Sequence, residues 1–255
     1  MIFSYLIYII SGLGAGIGTG LAGLSAAAVI SPMLITFLGF NAYEAVSIAL
    51  ASDVLASAVS AYIYYKNKNI DIKNGIIMLI AVLIFTVVGS YIASIVPNST
   101  MGSFSVFMTF LLGIKFIVKP VMTTKENLEK KDKKSMIISS IICGILIGFI
   151  CGFIGAGGGM MMLLILTSVL GYELKTAVGT SVFIMTFTAL TGFLSHTAIS
   201  TTPDIPALIT CIIATFVGAR VAALFANKST PEKLNRITGI VLAVLGLAMI
   251  LVKII

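Results

Sequence analysis

The sequence predicts an all-α polytopic membrane protein, built from two inverted-topology repeats of about five helical elements each. The first observation is composition: of 255 residues, 59% are hydrophobic and 10% are charged, with a mean hydropathy of +1.15. Soluble domains average roughly 45–50% apolar and about 25% charged residues. The second observation is that apolar runs of span length recur from one end of the chain to the other. The third is a glycine pattern that occurs twice.

Ten apolar elements follow one another, separated by hydrophilic breaks. The first lacks a charged n-region and a small-residue cleavage site, so we interpret it as a mature helix and not as a signal peptide. The second element of each half has about 15 residues, whereas a helix needs roughly 20 to cross the hydrocarbon core. We therefore expect broken, tilted or re-entrant glycine-rich helix pairs at the start of each half. The elements cover about residues 2–23, 24–39, 43–65, 72–96, 101–119, 136–155, 157–171, 175–198, 204–226 and 233–255.

A shift of 132 residues superimposes the glycines of the two halves. Because five glycines in one register are hard to obtain by chance, the sequence indicates an internal duplication. The charged linker 120–135 separates a first transmembrane repeat, 1–119, from a second, 136–255. The spacing GxxxGxxxG within both sets is typical of close helix packing. The superimposed residues are Gly12, Gly16, Gly20, Gly23 and Gly39 on Gly144, Gly148, Gly152, Gly155 and Gly171.

The net charge of +7 comes largely from lysines in the hydrophilic breaks at 66–73, 125–134 and 228–236. Basic residues in short loops between apolar segments follow the positive-inside bias, so we interpret these loops as cytoplasmic and expect no nucleic-acid partner. Since each half has an odd number of elements, the halves enter the membrane from opposite sides. We expect a multi-pass protein in the lipid bilayer of the cell membrane, with both termini outside.

A glycine-rich break in the second half is the main candidate for a binding site. The stretch GFIGAGGGMMMLL, residues 152–164, places five glycines just before an apolar helix. Free N–H groups at a helix N-terminus carry partial positive charge and bind anions without a charged side chain. Irregular backbone at membrane depth is tolerated only where protein buries it or water lines it. The residues of this candidate anion site are Gly155, Ala156, Gly157, Gly158 and Gly159.

The corresponding point of the first half has a different chemistry. It reads Gly23, Leu24 and Ser25, so a hydroxyl stands where the second half has bare backbone. Thr180 and Ser181 lie in the first turns of the helix after the second glycine-rich pair. Their hydroxyls either donate to anion oxygens or back-bond within their own helix. We include all five residues in the predicted substrate site.

Two ionisable residues lie well inside predicted spans. Asp53 stands near the middle of its helix, where a carboxylate is costly and therefore a functional candidate. It either couples transport to protons, forms a structural ion pair with Arg220, or lines a solvated cavity. Arg220 either pairs with Asp53, contacts substrate, or extends its guanidinium to the nearby cytoplasmic surface.

The paired glycine-rich elements, GAGGG at 155–159, AVGTS at 177–181 and the basic mid-chain loop together resemble the TauE/SafE family of membrane transporters. The resemblance covers essentially the whole chain. It implies export of sulfite, organosulfonates or related small anions, with no enzymatic cofactor. The first half departs from the family pattern because Ser25 and two alanines replace a glycine cluster. We therefore expect a secondary transporter of a small anion that works by alternating access, with Asp53 as the candidate for coupling to protons.

Other functional classes fit the sequence less well. With one histidine, no HExxH motif and no close pair of carboxylates within the spans, an intramembrane enzyme is not expected. The three cysteines lie in apolar segments without metal-ligand spacing, so no metal site is predicted. An anion channel or a non-transporting membrane subunit remains the alternative. Which anion is carried, in which direction, and in which oligomeric state are left open by the sequence.

Overall fold

The computed structural model describes residues 2–93, 114, 117–118, 133–154, 158–199 and 204–254. Within these ranges the fold is all-α, as predicted, with nine helices and no strand. Most of the predicted element at 101–119 and of the linker 120–135 lies outside the described residues. The helices are α1 (Ile2–Ala22), α2 (Ala27–Leu38), α3 (Ala42–Lys66), α4 (Ile72–Ala93), α5 (Lys133–Ile154), α6 (Gly158–Ser168), α7 (Leu174–Ile199), α8 (Ile205–Lys228) and α9 (Pro231–Ile254).

Four of the described helices are long and apolar enough to cross a membrane. They are α1, residues 44–66 of α3, residues 174–194 of α7, and α8. Large apolar side chains such as Ile9, Ile84 and Ile213 are exposed on the outside of the bundle. Exposed apolar surface of this kind is stable in lipid and not in water. The prediction of a polytopic membrane fold is therefore confirmed.

Small residues bring the helices of the bundle close together. On α1, a Cβ added at Gly12 would lie 2.7 Å from Cβ of Ala214, and one at Gly20 would lie 2.5 Å from the carbonyl oxygen of Ala219. The glycines at 144–148 of α5 approach the backbone of α4 in the same way. The packing interpretation of the two glycine ladders thus describes the contacts of α1 with α8 and of α5 with α4.

The two ends of the bundle differ in charge. At one end, here called the basic end, the loops 67–71, 169–173 and 229–230 lie together. Asn69 Nδ2 donates to Asn227 Oδ1 across 2.6 Å, and Lys175 Nζ donates to the carbonyl oxygen of Asn227 across 3.1 Å. One lysine, Lys68, lies in these loops, and the adjoining helix ends carry Lys66, Lys73, Lys175 and Lys228, so the structure gathers lysines at this end.

The opposite end is formed by the starts of α1, α3 and α8. The rings of Tyr8 and Phe40 meet edge to face with centroids 6.2 Å apart. The backbone N–H of Asp204 donates to Glu44 Oε1 across 3.0 Å. These contacts place the end of α2 at the level where α1 begins.

The second element of each half is a short helix that begins inside the bundle. After α1 ends, the chain folds back, and the N–H of Leu24 donates to the carbonyl oxygen of Gly18 across 3.2 Å. α2 has 12 residues and α6 has 11, so each is roughly 17–18 Å long and cannot cross a core of about 30 Å. Both are followed by a glycine in the left-handed region, Gly39 at φ 66° and Gly171 at φ 74°. Of the alternatives left open by the sequence, the structure shows broken helices that turn back.

Candidate functional site

The starts of α2 and α6 meet inside the bundle. A Cβ added at Gly159, in the first turn of α6, would lie 2.8 Å from the backbone nitrogen of Ser25 and 2.7 Å from Met185 Sδ. The same atom would overlap the carbonyl oxygen of Gly23. Since any side chain would collide with backbone here, the close approach requires glycine. We call this contact between residues 23–26 and the start of α6 the junction.

The link between α1 and α2 is held in a defined shape. Gly23 has φ +63°, a conformation that side-chain-bearing residues rarely adopt, and its N–H donates to the carbonyl oxygen of Thr19 across 2.9 Å. Thr19 Oγ1 donates to the carbonyl oxygen of Leu24 across 2.7 Å. From α7, Ser181 Oγ donates to the carbonyl oxygen of Gly23 across a long 3.4 Å and approaches Met185 Sδ at 3.7 Å. The Ser181 hydroxyl therefore faces the junction with only weak bonds.

A buried carboxylate lies at the start of α2. Asp53 is 1% exposed, and its Oδ2 accepts a hydrogen bond of 2.8 Å from Ser25 Oγ. Its Oδ1 accepts one of 3.0 Å from Ser57 Oγ, one turn further along α3. The backbone N–H of Ala26 also donates to this carboxyl group. The acid of α3 is therefore bound by the link that opens α2.

This arrangement suits the electrostatics of a helix N-terminus. The first N–H groups of a helix lack partners within it and form the positive end of its dipole. Ala26, the N-cap residue of α2, has no side chain that could accept from them. The carboxylate of Asp53 supplies the negative group from another helix. The start of α2 thus already binds the carboxyl group of an acidic residue that belongs to the chain itself.

The structure brings most of the describable predicted site residues together. Gly155, Ala156 and Gly157 lie outside the described residues, and Gly158 is the first residue of α6. The residues that meet at the junction are Gly23, Leu24, Ser25, Gly159, Ser181 and Asp53.

Thr180 lies away from the junction, although it is fully buried beside Ser181. Its Oγ1 accepts a hydrogen bond of 3.1 Å from the backbone N–H of Asp71, in the loop between α3 and α4. The hydroxyl of Tyr172 donates to Asp71 Oδ2 across 2.8 Å. Burial, together with the neighbouring Asp71 carboxylate, raises the pKa of this hydroxyl, which therefore stays protonated. Thr180 belongs to the polar contacts of the basic end.

Arg220 is also placed differently from one of its predicted roles. Its side chain is exposed on the face of α8 that carries Val217 and Val221, both exposed as well. The opposite face of α8 packs on α1 through small residues. The ion pair considered for Asp53 and Arg220 is therefore not formed. The hydroxyls of Ser25 and Ser57 bind the carboxylate instead.

Sequence reasoning missed two residues of this site. Ser57 follows Asp53 by four positions on one helix, and residues at this spacing lie on the same face. Met185 is the residue that the 132-residue shift places on Asp53. Helix periodicity and the repeat register were sufficient signals for both. The residue that this register pairs with the acid is thus a neutral thioether, and it too lies at the junction.

Comparison with known proteins identifies relatives along nearly the whole chain. The family model described as "Sulfite exporter TauE/SafE" matches residues 8–249. The probable membrane transporter protein YunE of Bacillus subtilis is 24% identical, with 97% of each chain covered. The probable membrane transporter protein MJ0441 of Methanocaldococcus jannaschii is 25% identical over 95% of this chain and 94% of the relative. The probable membrane transporter protein YdhB of Bacillus subtilis is 23% identical over 92% of this chain and 96% of the relative.

Proposed function

Since the chain belongs to the TauE/SafE family of membrane transport proteins, we propose that it is a secondary transporter of a small anion, of the sulfur oxyanion or organosulfonate class. It would work by alternating access in the cell membrane, with the basic end in the cytoplasm and both termini outside. It carries out no chemical conversion of its substrate. Family membership supports membrane transport, and the substrate class and mechanism are our proposal.

The observation that carries the proposal is the junction. Two half-length helices begin there, and their positive ends face the same small region of backbone. Hydroxyls of Ser25 and Ser181 lie beside them. A sulfonate or sulfite group has three oxygens that accept hydrogen bonds, and N–H and O–H groups can donate to all of them. Such a site selects an anion without a basic side chain at membrane depth.

The arrangement of helix pairs supports alternating access. α1 packs along α8, and α5 packs along α4. In the proposed repeat, α1 corresponds to α5, and α4 corresponds to α8. Exchanging each helix for its counterpart then converts the pair of α1 and α8 into the pair of α5 and α4. The αL glycines after α2 and α6, Gly39 and Gly171, are separated by the 132 residues of the repeat. Repeats with broken helices meeting at the bilayer midplane are the usual basis for rocking around a fixed site.

A ligand panel on the purified protein tests the substrate class. Thermal unfolding is followed with sulfite, sulfate, thiosulfate, taurine, sulfoacetate and lactate, because a ligand that binds the folded state raises its midpoint. We expect stabilisation by at least one sulfur-containing anion. Stabilisation by lactate alone would overturn the sulfur assignment, and stabilisation by none of them would overturn the anion site.

A second measurement separates a carrier from the alternatives. Uptake of the stabilising anion into proteoliposomes should saturate and show counterflow, as expected for alternating access. Flux without saturation or counterflow would indicate a channel. The absence of flux would indicate a subunit that does not transport by itself.

A further inference from the structure

We propose that ionised Asp53 and the substrate anion compete for the N-terminus of α2, so that the anion binds there only after Asp53 has taken up a proton. This inference rests on the proposed anion transport and specifies how protons would be coupled to it. It assigns Asp53 as a resident anion, displaced by substrate, and Ser57 as the group that positions its carboxyl.

The carboxylate of Asp53 is itself bound by the hydrogen-bond donors at the start of α2. Asp53 and Ser25 are 28 positions apart in the chain, yet Ser25 Oγ and Asp53 Oδ2 are 2.8 Å apart. With the N–H of Ala26, this hydroxyl provides the donors that open α2. These are the same donors that an incoming oxyanion would use. One set of donors cannot serve both anions at once.

No cation among the described residues compensates the charge of the Asp53 carboxylate. No ionisable group acts on the Asp53 carboxyl from the described parts of α1, α2, α7 or α8. Glu44 and Lys66 stand at the two ends of α3, Asp71 and Lys175 lie at the basic end, and Arg220 is exposed. The side chain of His196, on α7, lies outside the described residues. Because hydrogen-bond donors alone compensate the charge of Asp53, a second negative charge at the junction is strongly disfavoured.

Protonation of Asp53 changes which acceptor the donors at the start of α2 can bind. A protonated carboxyl is neutral and no longer attracts the positive end of α2, so Ser25 and Ala26 become available to another acceptor. The proton adds to a carboxylate oxygen of Asp53 and returns to water when the anion leaves. One proton enters for each anion bound. Met185, the repeat counterpart of Asp53, has a thioether that cannot take up a second proton at the junction.

Binding measured against pH tests this exchange. Methanesulfonate, thiosulfate and sulfate are suitable probes because their own charge is constant between about pH 5 and about pH 8. Calorimetric titration of the full-length protein should show affinity falling by about tenfold per pH unit above the titration of the carboxyl group. Titrations in buffers of different ionisation heat should show uptake of about one proton for each anion.

Variants of the acid and its neighbour sharpen the test. Asp53→Asn should bind the same probe with an affinity that no longer depends on pH. Ser57→Ala removes a donor from the ionised carboxylate alone, so it should shift the pH profile upward by about one unit. Glu232→Gln, at an exposed position in the first turn of α9, should retain the wild-type profile. Ser57→Ala keeps the test available if Asp53→Asn does not fold.

The outcomes separate this inference from the proposed function. Binding by the wild type that is independent of pH, or that follows sodium concentration instead, would overturn the competition while leaving anion transport intact. The same conclusion follows if Asp53→Asn keeps the wild-type pH profile. If none of the three probes binds to wild type or variant at any pH, the proposed anion transport itself is overturned.

Discussion

At the scale of single residues, the junction depends on hydrogen bonds from individual serine hydroxyls, and a hydropathy profile does not show where these lie. Asp53 is bound by two serines, one from its own helix and one from a link 28 positions away. A buried carboxylate without such partners is far less stable than one with them. The serines of this region are therefore not equivalent, although most of them are equally buried.

Replacing Ser25 and Ser60 by alanine should distinguish a serine that binds the Asp53 carboxylate from one whose hydroxyl has no partner. Ser25→Ala leaves a buried carboxylate with one donor fewer, so we expect a loss of about 1–3 kcal/mol in stability at neutral pH. Ser60 is fully buried on α3 and its hydroxyl has no partner, so Ser60→Ala should be neutral or stabilising. Thermal unfolding of the detergent-solubilised proteins measures both. Equal losses would show that the Asp53 bond contributes nothing specific.

Gly159 is the residue at which the two halves approach most closely in the described junction. In Gly159→Ala the methyl group meets backbone atoms of Gly23 and Ser25, which cannot move as a flexible side chain can. We expect destabilisation of about 1–3 kcal/mol and loss of anion-dependent stabilisation.

Gly192→Ala is the matched control for Gly159→Ala. The added methyl group there lies 3.2 Å from Leu50 Cδ1, the end of a flexible side chain in contact with α7. This variant should keep both its stability and its response to anion. Wild-type anion binding by Gly159→Ala would contradict the placement of the site at the junction.

At the scale of elements, length and composition allowed most of the bundle to be predicted. α1, α3, α7 and α8 follow the predicted apolar runs, and the two short helices follow from runs of about 15 residues. The tertiary contacts of each side chain were less predictable, because the position of a residue along its helix does not determine which neighbouring helix or loop the side chain faces. Thr180 was predicted beside the anion and lies instead against the backbone N–H of Asp71.

The contact of α1 with α8 gives a prediction about the glycine ladder. A methyl group at Gly16 would overlap the carbonyl oxygen of Thr215 and lie 2.7 Å from the backbone nitrogen of Ala219. Gly16→Ala should therefore separate the helices and cost about 1–3 kcal/mol. Gly14→Ala, where the nearest atom is 3.7 Å away, should not destabilise the protein. Midpoints of thermal unfolding test the pair, and similar midpoints for the two variants would argue against tight packing at this contact.

At the scale of the whole molecule, polar contacts tie the two halves at the basic end. The loop between α3 and α4 is bound by Tyr172 and Thr180 through Asp71, and by Asn227 through Asn69. Rocking of one half against the other must break such contacts at one end while the other end closes. The distribution of lysines along the sequence allowed a basic end to be predicted. The hydrogen-bond partners at that end could not be predicted, because they depend on packing between segments that are distant in the chain.

Removal of the Tyr172 hydroxyl should loosen the basic end. In Tyr172→Phe the Asp71 carboxylate loses a donor, so we expect faster amide hydrogen exchange in residues 67–74. Tyr65→Phe, which alters an exposed ring at the same end of α3, should leave exchange unchanged. Exchange in Tyr172→Phe at the wild-type rate would mean that this bond does not restrain the loop.

Under the proposed coupling, Asp53, the one acid among the described residues of the junction, would also set how steep a substrate gradient the protein can sustain. If one proton accompanies each monovalent anion, the complex that crosses the membrane gains no net charge from the pair, so the membrane voltage does no work on it. At equilibrium the anion ratio then follows the proton ratio, about tenfold for each pH unit. Because the 132-residue shift places Met185, and not a second acid, opposite Asp53, the proposed coupling would supply the driving force of one proton, and the accumulation limit would be correspondingly modest.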